Sequence, residues 1–255
     1  MSAQMATAGE TSHTGNHGQD AHRGAGDDLT LPECLILLAL NDETGRRTGQ
    51  QVEAALAGAG LSELAVRGFL REHHDADGKP TNRFAPARNN ADTDVDTGDA
   101  FLDGCFAMVQ AAGPSAPPKP LIARIAANRP LNQALIDRLI AKGILRRHRE
   151  KRFFLLEHET YPEAAPEPER ALKARLAAVM FEETAPTSRD CVLIALARQT
   201  GLLAVNFDPG LIATHRTRIE EIARGPALVT GASAASLSAL QTAILLAVIV
   251  PVVIA

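Results

Sequence analysis

The chain has 255 residues, 45% of them apolar, with 26 Lys and Arg against 30 Asp and Glu for a formal charge of −4. That length supports one large domain or two small ones with a sizeable core, and the near-neutral balance excludes a protein that coats nucleic acid by bulk charge. Trp is absent and Tyr occurs once, while Ala and Leu abound, a balance that favours helices over strands. The three cysteines, Cys34, Cys105 and Cys191, stand far apart in apolar stretches. Buried, reduced thiols are expected, as in a cytoplasmic protein.

Residues 1–28 are rich in Gly, Thr, Ser and His and offer almost nothing to a core, so they read as a disordered tail. No basic segment leads into an apolar run there, and no secretory signal is expected. His13, His17 and His22 would need a helix to share a face, and the glycines around them oppose one. "LTLPECLILLALNDETG" opens the ordered part. Thr30 can cap, Pro32 suits a first turn, and Glu33 completes a capping box. The helix they start runs to Leu40, with apolar residues so continuous that it should be buried on all sides. A second helix is expected over 50–67, ending at Gly68, with small residues that allow close helix contact.

A polar, turn-rich stretch follows, with short extended pieces such as 69–72. "AFLDGCFAMVQAA" is helical again. "GPSAPPKP" reads as a loop because its prolines oppose a helix. Helices are expected over 121–128 and 131–142. Next comes a hairpin at about 144–157, with strands 144–148 and 152–157 around a turn at 149–151. "PEPERALKARLAAVMFEE", "SRDCVLIALARQTGLL" and "TRIEEIARG" complete the set as three amphipathic helices. No charge occurs after Arg224, and residues 243–255 are all apolar. A membrane anchor would need about 20 such residues with flanking charges. A core helix is the favoured reading of this terminus and a tail anchor the alternative.

No nucleophile elbow, zinc-protease helix, paired-cysteine motif or phosphate-binding loop is present. "GDDL" and "NDETG" read as caps and turns. His73 and His74 before "DADG" lack the later bidentate Glu of a calcium loop. No catalytic residue, metal site or cofactor is therefore assigned. The chemistry that does stand out is charge. Residues 146–152, "RRHREKR", hold five Arg or Lys. Three arrangements fit: a wing beside a recognition helix on duplex DNA, a cationic face on anionic lipid headgroups, or a solvated strand pair whose charges block edge aggregation.

The stretches "LTLPECLILLALNDETG", "LSELAVRGFL", "DTGDAFLD", "LIDRLIAKGILRR", the hairpin ending in "YP", "ERALKARLAAVM", "CVLIALARQTGLL" and "TRIEEIA" together resemble the Golgi phosphoprotein 3 family, in its order, over residues 29–255. The resemblance implies a mostly α single domain with a hydrophobic central helix bundle, further helices around it and a protruding β-hairpin. It also implies that the apolar terminus joins the bundle. Family members are peripheral membrane adaptors that bind phosphatidylinositol 4-phosphate on the cytosolic Golgi face and help retain glycosyltransferases. Their headgroup pocket uses a Trp in the loop after the first helix, where this chain has "RRTGQQ". It also uses an Arg where Ala57 stands, and two basic residues at Arg129 and Asn132.

Arg129 thus matches, and Arg46, Arg47 and Arg124 are candidates to rebuild the basic patch. The hairpin residues Arg146, Arg147, Arg149, Arg152, Phe153 and Phe154 are candidates for membrane contact or self-association. The expectation is a cytoplasmic, non-enzymatic protein, bound peripherally to anionic phospholipid. A winged-helix nucleic-acid binder and a soluble helical scaffold stand as alternatives.

Overall fold

In the computed structural model, which describes residues 29–87, 95–114, 116–152 and 156–224, the first helix, α1 (Leu31–Ala39), has all nine residues buried. An apolar helix hidden on every side cannot leave its first N–H groups to water. Two buried carboxylates serve them instead. Glu33 closes the expected capping box with Thr30, its Oε2 accepting from Thr30 N at 2.8 Å. Glu63, from α2 (Val52–Val66), accepts from Leu31 N at 3.0 Å. Each carboxylate is balanced by two cations. Arg138 Nε at 3.1 Å and Lys142 Nζ at 2.7 Å reach Glu33, and Arg67 Nε at 2.8 Å and Arg189 Nη1 at 2.7 Å reach Glu63.

Four later helices pack around α1 and α2. They are α3 (Ala100–Ala112), α4 (Pro118–Ala126), α5 (Arg129–Ala141) and α7 (Ser188–Gln199), with α6 (Glu167–Phe181) against α1 and α7. Close approach depends on glycine. A Cβ on Gly104 of α3 would stand 2.0 Å from Leu131 Cδ1 of α5, and one on Gly60 would stand 2.8 Å from Phe101 Cε1. Helix starts follow one rule: Asp99 caps α3 and Thr187 caps α7 with Asp190 in a second capping box. Their carboxylates are met by arginines from neighbouring helices, Arg138 at 3.2 Å and Arg175 at 3.1 Å. Cys34, Cys105 and Cys191 are free and buried, and burial pushes the Cys34 and Cys191 thiols up to about 11.

Among the described residues there are ten helices and two antiparallel hairpins, a mostly α single domain as expected. Several boundaries differ. The proline loop gives way to α4 at Pro118, because a first-turn proline lacks only an N–H that would be orphaned anyway. α5 likewise begins two residues ahead of the expected start, with Pro130 in its first turn. The helix expected over "SRDCVLIALARQTGLL" breaks at Gly201, φ +76, into α7 and α8 (Leu202–Asn206). A short α9 (Pro209–Thr214), capped by Asp208, precedes α10 (Arg216–Ala223). The polar stretch after α2 holds a full hairpin, β1 (Leu70–His74) with β2 (Pro80–Pro86).

The basic hairpin sits four residues later than expected. Its strands are β3 (His148–Arg152) and β4 (Leu156–Thr160), so residues 149–151 are strand and not turn. That register sets the backbone of Lys151 opposite Glu157 and places Arg149 opposite Glu159, an opposite-charge pair across the ladder. Phe153, Phe154, the 1–28 tail and the apolar terminus lie outside the described residues. Among those described, no helix is long and apolar enough to cross a membrane.

The Glu63 pair gives a direct test of this framework. Glu63→Ala removes the carboxylate from two guanidinium groups that are each about a third exposed and leaves the buried Leu31 N without its acceptor, and an unmet buried donor costs about 1–3 kcal/mol. The urea midpoint should fall accordingly. Glu63→Gln, which keeps an acceptor for Leu31 N, should lose less.

Candidate functional site

The loop between α1 and α2 carries the first two candidate arginines and is held at several points. Asn41 Oδ1 accepts from Thr44 N at 2.8 Å, Gly45 N donates to Asn41 O at 2.7 Å, and Thr48 N donates to Ala39 O at 2.7 Å. Gly45 has φ +61, and a Cβ there would lie 2.2 Å from Pro162 N. Only glycine meets both conditions. Gln51, at φ +51, holds a left-handed conformation without a glycine's freedom, at a cost of roughly 1 kcal/mol. Arg46 and Arg47 are both exposed on this loop. Arg47 Nη1 reaches Glu53 Oε1 at 2.6 Å. Arg46 makes no ion pair among the described residues.

The junction of α4 and α5 carries the second pair. Asn128 Oδ1 caps α5 by accepting from Leu131 N at 3.1 Å, and Asn132 Nδ2 donates to Ala126 O at 3.0 Å. Asn132 is buried and serves this junction. Arg124 lies in the last turn of α4, where a cation favours the helix, and Arg129 is the first residue of α5, where it opposes the helix by roughly 0.3–1 kcal/mol. Both are exposed and, among the described residues, make no ion pair. Local helix energetics do not account for Arg129.

Tyr161, which follows β4, connects the two places. Its N–H donates to Gly45 O at 3.2 Å, while its hydroxyl lies 3.2 Å from Gln133 Oε1 of α5 and 3.1 Å from Glu159 Oε2. Gln133 stands one helical turn after Arg129. The foot of the hairpin therefore ties the Arg46 loop to the first half of α5. Within the hairpin, two of the cations are already paired. Arg147 bonds Asp137 and approaches Glu159, and Arg149 Nε donates to Glu159 Oε1 at 2.7 Å. The Arg149 bond, followed by that from Tyr161, holds the Glu159 carboxyl below its usual range. Arg146 is exposed without an ion pair among the described residues, and the backbone of Arg152 opposes Leu156.

Sequence reasoning named the arginines but missed Tyr161 and Gly45 as their supports. The only signals for these were the "YP" that ends the hairpin and the glycine that closes "NDETG". The position aligned with the family's second pocket residue, Ala57, is 1% exposed inside α2, so it faces packing and not solvent. Of the aligned residues Ala57, Arg129 and Asn132, Arg129 alone is an exposed cation.

A second polar cluster borders the loop. A cavity of about 280 Å³ is lined by Asp42, Glu163, Glu169, Arg170 and Lys173. Burial pushes the Glu169 carboxyl from 4.5 up to about 7, and the hydrogen bond from Lys173 offsets only part of this. Glu163 is raised too, first by burial and then by Asp42. Between pH 4.5 and 7 the folded chain keeps a Glu169 proton that the unfolded chain has lost. This contribution to stability is full below the unfolded value and disappears as pH rises through the folded one. Glu169→Gln should therefore melt higher than the parent above pH 7 and match it below pH 4.5. Gly45→Ala, by contrast, should destabilise at every pH, by ~2 kcal/mol or more from crowding and backbone strain.

No curated protein matches the chain. A family model described as Golgi phosphoprotein 3 (GPP34) matches residues 31–243, a span that takes in α1, the arginine loop, the α4–α5 junction, the hairpin and α10. The chain belongs to the Golgi phosphoprotein 3 (GPP34) family.

Proposed function

We propose that this protein is a non-enzymatic peripheral membrane protein that docks on anionic phospholipid headgroups through Arg46, Arg124 and Arg129. By family resemblance the headgroup is that of phosphatidylinositol 4-phosphate, the surface a cytosolic membrane face, and the broader role that of an adaptor. The observation that carries this reading is the state of these three side chains. They are exposed and unpaired among the described residues, on two segments joined through Tyr161. Arg47 adds to the same loop, although Glu53 already neutralises it. The hairpin, through Arg146, Arg152 and the Phe153–Phe154 pair beyond the described residues, is assigned to membrane contact or self-association.

The nucleic-acid alternative has less support. A recognition helix needs basic side chains turned toward the groove. α5 instead points Arg138 and Lys142 inward to Glu33, and its exposed Asp137 holds Arg147.

Flotation with vesicles tests the reading. Each basic residue near an anionic surface contributes about 1 kcal/mol, so Arg46→Ala/Arg124→Ala/Arg129→Ala should weaken binding at least tenfold on vesicles containing phosphatidylinositol 4-phosphate. Arg149→Ala, whose charge is already met by Glu159, should change it less than twofold. Duplex DNA at matched salt should not bind. Unchanged flotation of the triple variant would remove the arginines from the site.

A further inference from the structure

The end of α1 that carries the arginine loop also carries α8. Gln50 N of the loop donates to Thr200 O at 2.9 Å, and Asn206 Nδ2 donates to Leu38 O at 2.8 Å. Gly49 comes so near α8 that a Cβ would lie 2.8 Å from Leu202 Cδ2. With Leu202 and Leu203 buried and Asn206 bonded to α1, the outer side of this short helix is left to Val205. Val205 is 57% exposed and Leu211 of α9 is 45% exposed, and among the described residues these are the large hydrophobic side chains open to water. A groove of about 330 Å³ runs between the end of α7 and helices α8, α9 and α10, with Leu203, Ile212 and Ile219 in its walls.

The charged lining of this groove is one-sided. Arg198 and Arg216 line it, and no carboxylate does. Both arginines reach Glu220, at 3.1 and 3.0 Å, and Arg224 approaches the same carboxylate at 3.9 Å. Three guanidinium groups thus share one carboxylate, and each stays half or more exposed. N–H donors therefore remain for another anion. Asp208, at the start of α9, is engaged in capping, with its Oδ1 accepting from Leu211 N at 2.9 Å.

Exposed aliphatic side chains beside under-neutralised arginines match the boundary between headgroups and acyl chains. There the apolar side chains pass below the phosphates while long cationic ones stay level with them. An uncharged apolar partner would leave the guanidinium donors facing no anion, whereas an acidic bilayer supplies both parts. We infer that α8 and α9 form a second membrane contact, in which Val205 and Leu211 enter the headgroup–acyl boundary of an anionic bilayer while Arg198 and Arg216 take its phosphates. The inference rests on the proposed docking on anionic lipid and adds to it an apolar contact that salt does not screen.

A fluorescent probe in the full chain tests this contact. The native thiols are buried, so a nitrobenzoxadiazole label goes to the thiol of a Val205→Cys variant. The vesicles are phosphatidylcholine with phosphatidylserine and phosphatidylinositol 4-phosphate. On flotation the emission should shift to the blue, and lipid with a nitroxide near the headgroup should quench it. Val205→Asp/Leu211→Asp should weaken flotation several-fold while the helical circular dichroism is retained. An unshifted probe on floating protein, or a double variant that floats like the parent, would overturn the second contact and leave the arginine reading standing. A parent chain that does not float would remove both. A blue shift without vesicles that grows with protein concentration would make a second copy the occupant and overturn the bilayer assignment.

Discussion

The structure depends on how an apolar helix with no solvent-facing side satisfies its own backbone. α1 runs through the middle of the bundle, and its first turn ends far from water. An unmet N–H there would cost about 1–3 kcal/mol. Glu33 and Glu63 meet these groups, and each becomes a buried charge that needs cations of its own. Those cations come from α5 for Glu33, and from the end of α2 and the start of α7 for Glu63. The requirement at one helix terminus thereby fixes where three other helices must lie. Arg189 extends the same logic by donating to Leu29 O at 2.6 Å, which holds the entry of the chain.

Basic residues consequently divide into two populations that composition alone cannot separate. One group is structural: Arg67, Arg138, Lys142, Arg175 and Arg189 sit on carboxylates that are almost fully buried. Truncating any of them would unfold or loosen the protein before it revealed anything about a ligand. The other group is at the opposite end of α1, where Arg46 rises from the loop, and at the α4–α5 junction. The hairpin is intermediate. Its run of positive charge looks dominant as a string of letters, yet the partner strand and Asp137 of α5 supply carboxylates to Arg147 and Arg149. For these two arginines the hairpin balances its own charge.

The central elements were legible because they are local. Thr30, Pro32 and Glu33 specify a helix start within four residues, and the unbroken apolar run after them specifies burial. The family's order of motifs was legible for the same reason. What escaped the sequence depends on distant partners. Proline in "PPKP" looks like a helix breaker until one knows that the helix starts there. The hairpin register cannot be read from "RRHREKRFFLLEHET", because alternating charge fits several offsets and only the docking of Tyr161 and Pro162 on Gly45 selects one. Asn132 looked like a lost ligand residue and is a clamp on Ala126. The β1–β2 hairpin was seen only as a scatter of extended pieces, since polar strands of two-stranded sheets lack the alternation that marks a buried face.

The absence of Trp has a physical consequence for any docking on lipid. An interfacial aromatic adds apolar contact with the headgroup layer, which salt does not weaken. The single Tyr of this chain is committed to the foot of the hairpin, where burial and then Glu159 push its phenol upward. The contacts of Arg46, Arg124 and Arg129 themselves would draw on Coulomb attraction and guanidinium–phosphate hydrogen bonds. Such binding follows the density of negative charge on the bilayer and weakens within a Debye length as salt rises. It discriminates headgroups by charge more than by shape, because separate guanidinium groups on two segments do not enclose a ring of fixed geometry. Under the proposed reading, such a site would answer to acidic membrane in general.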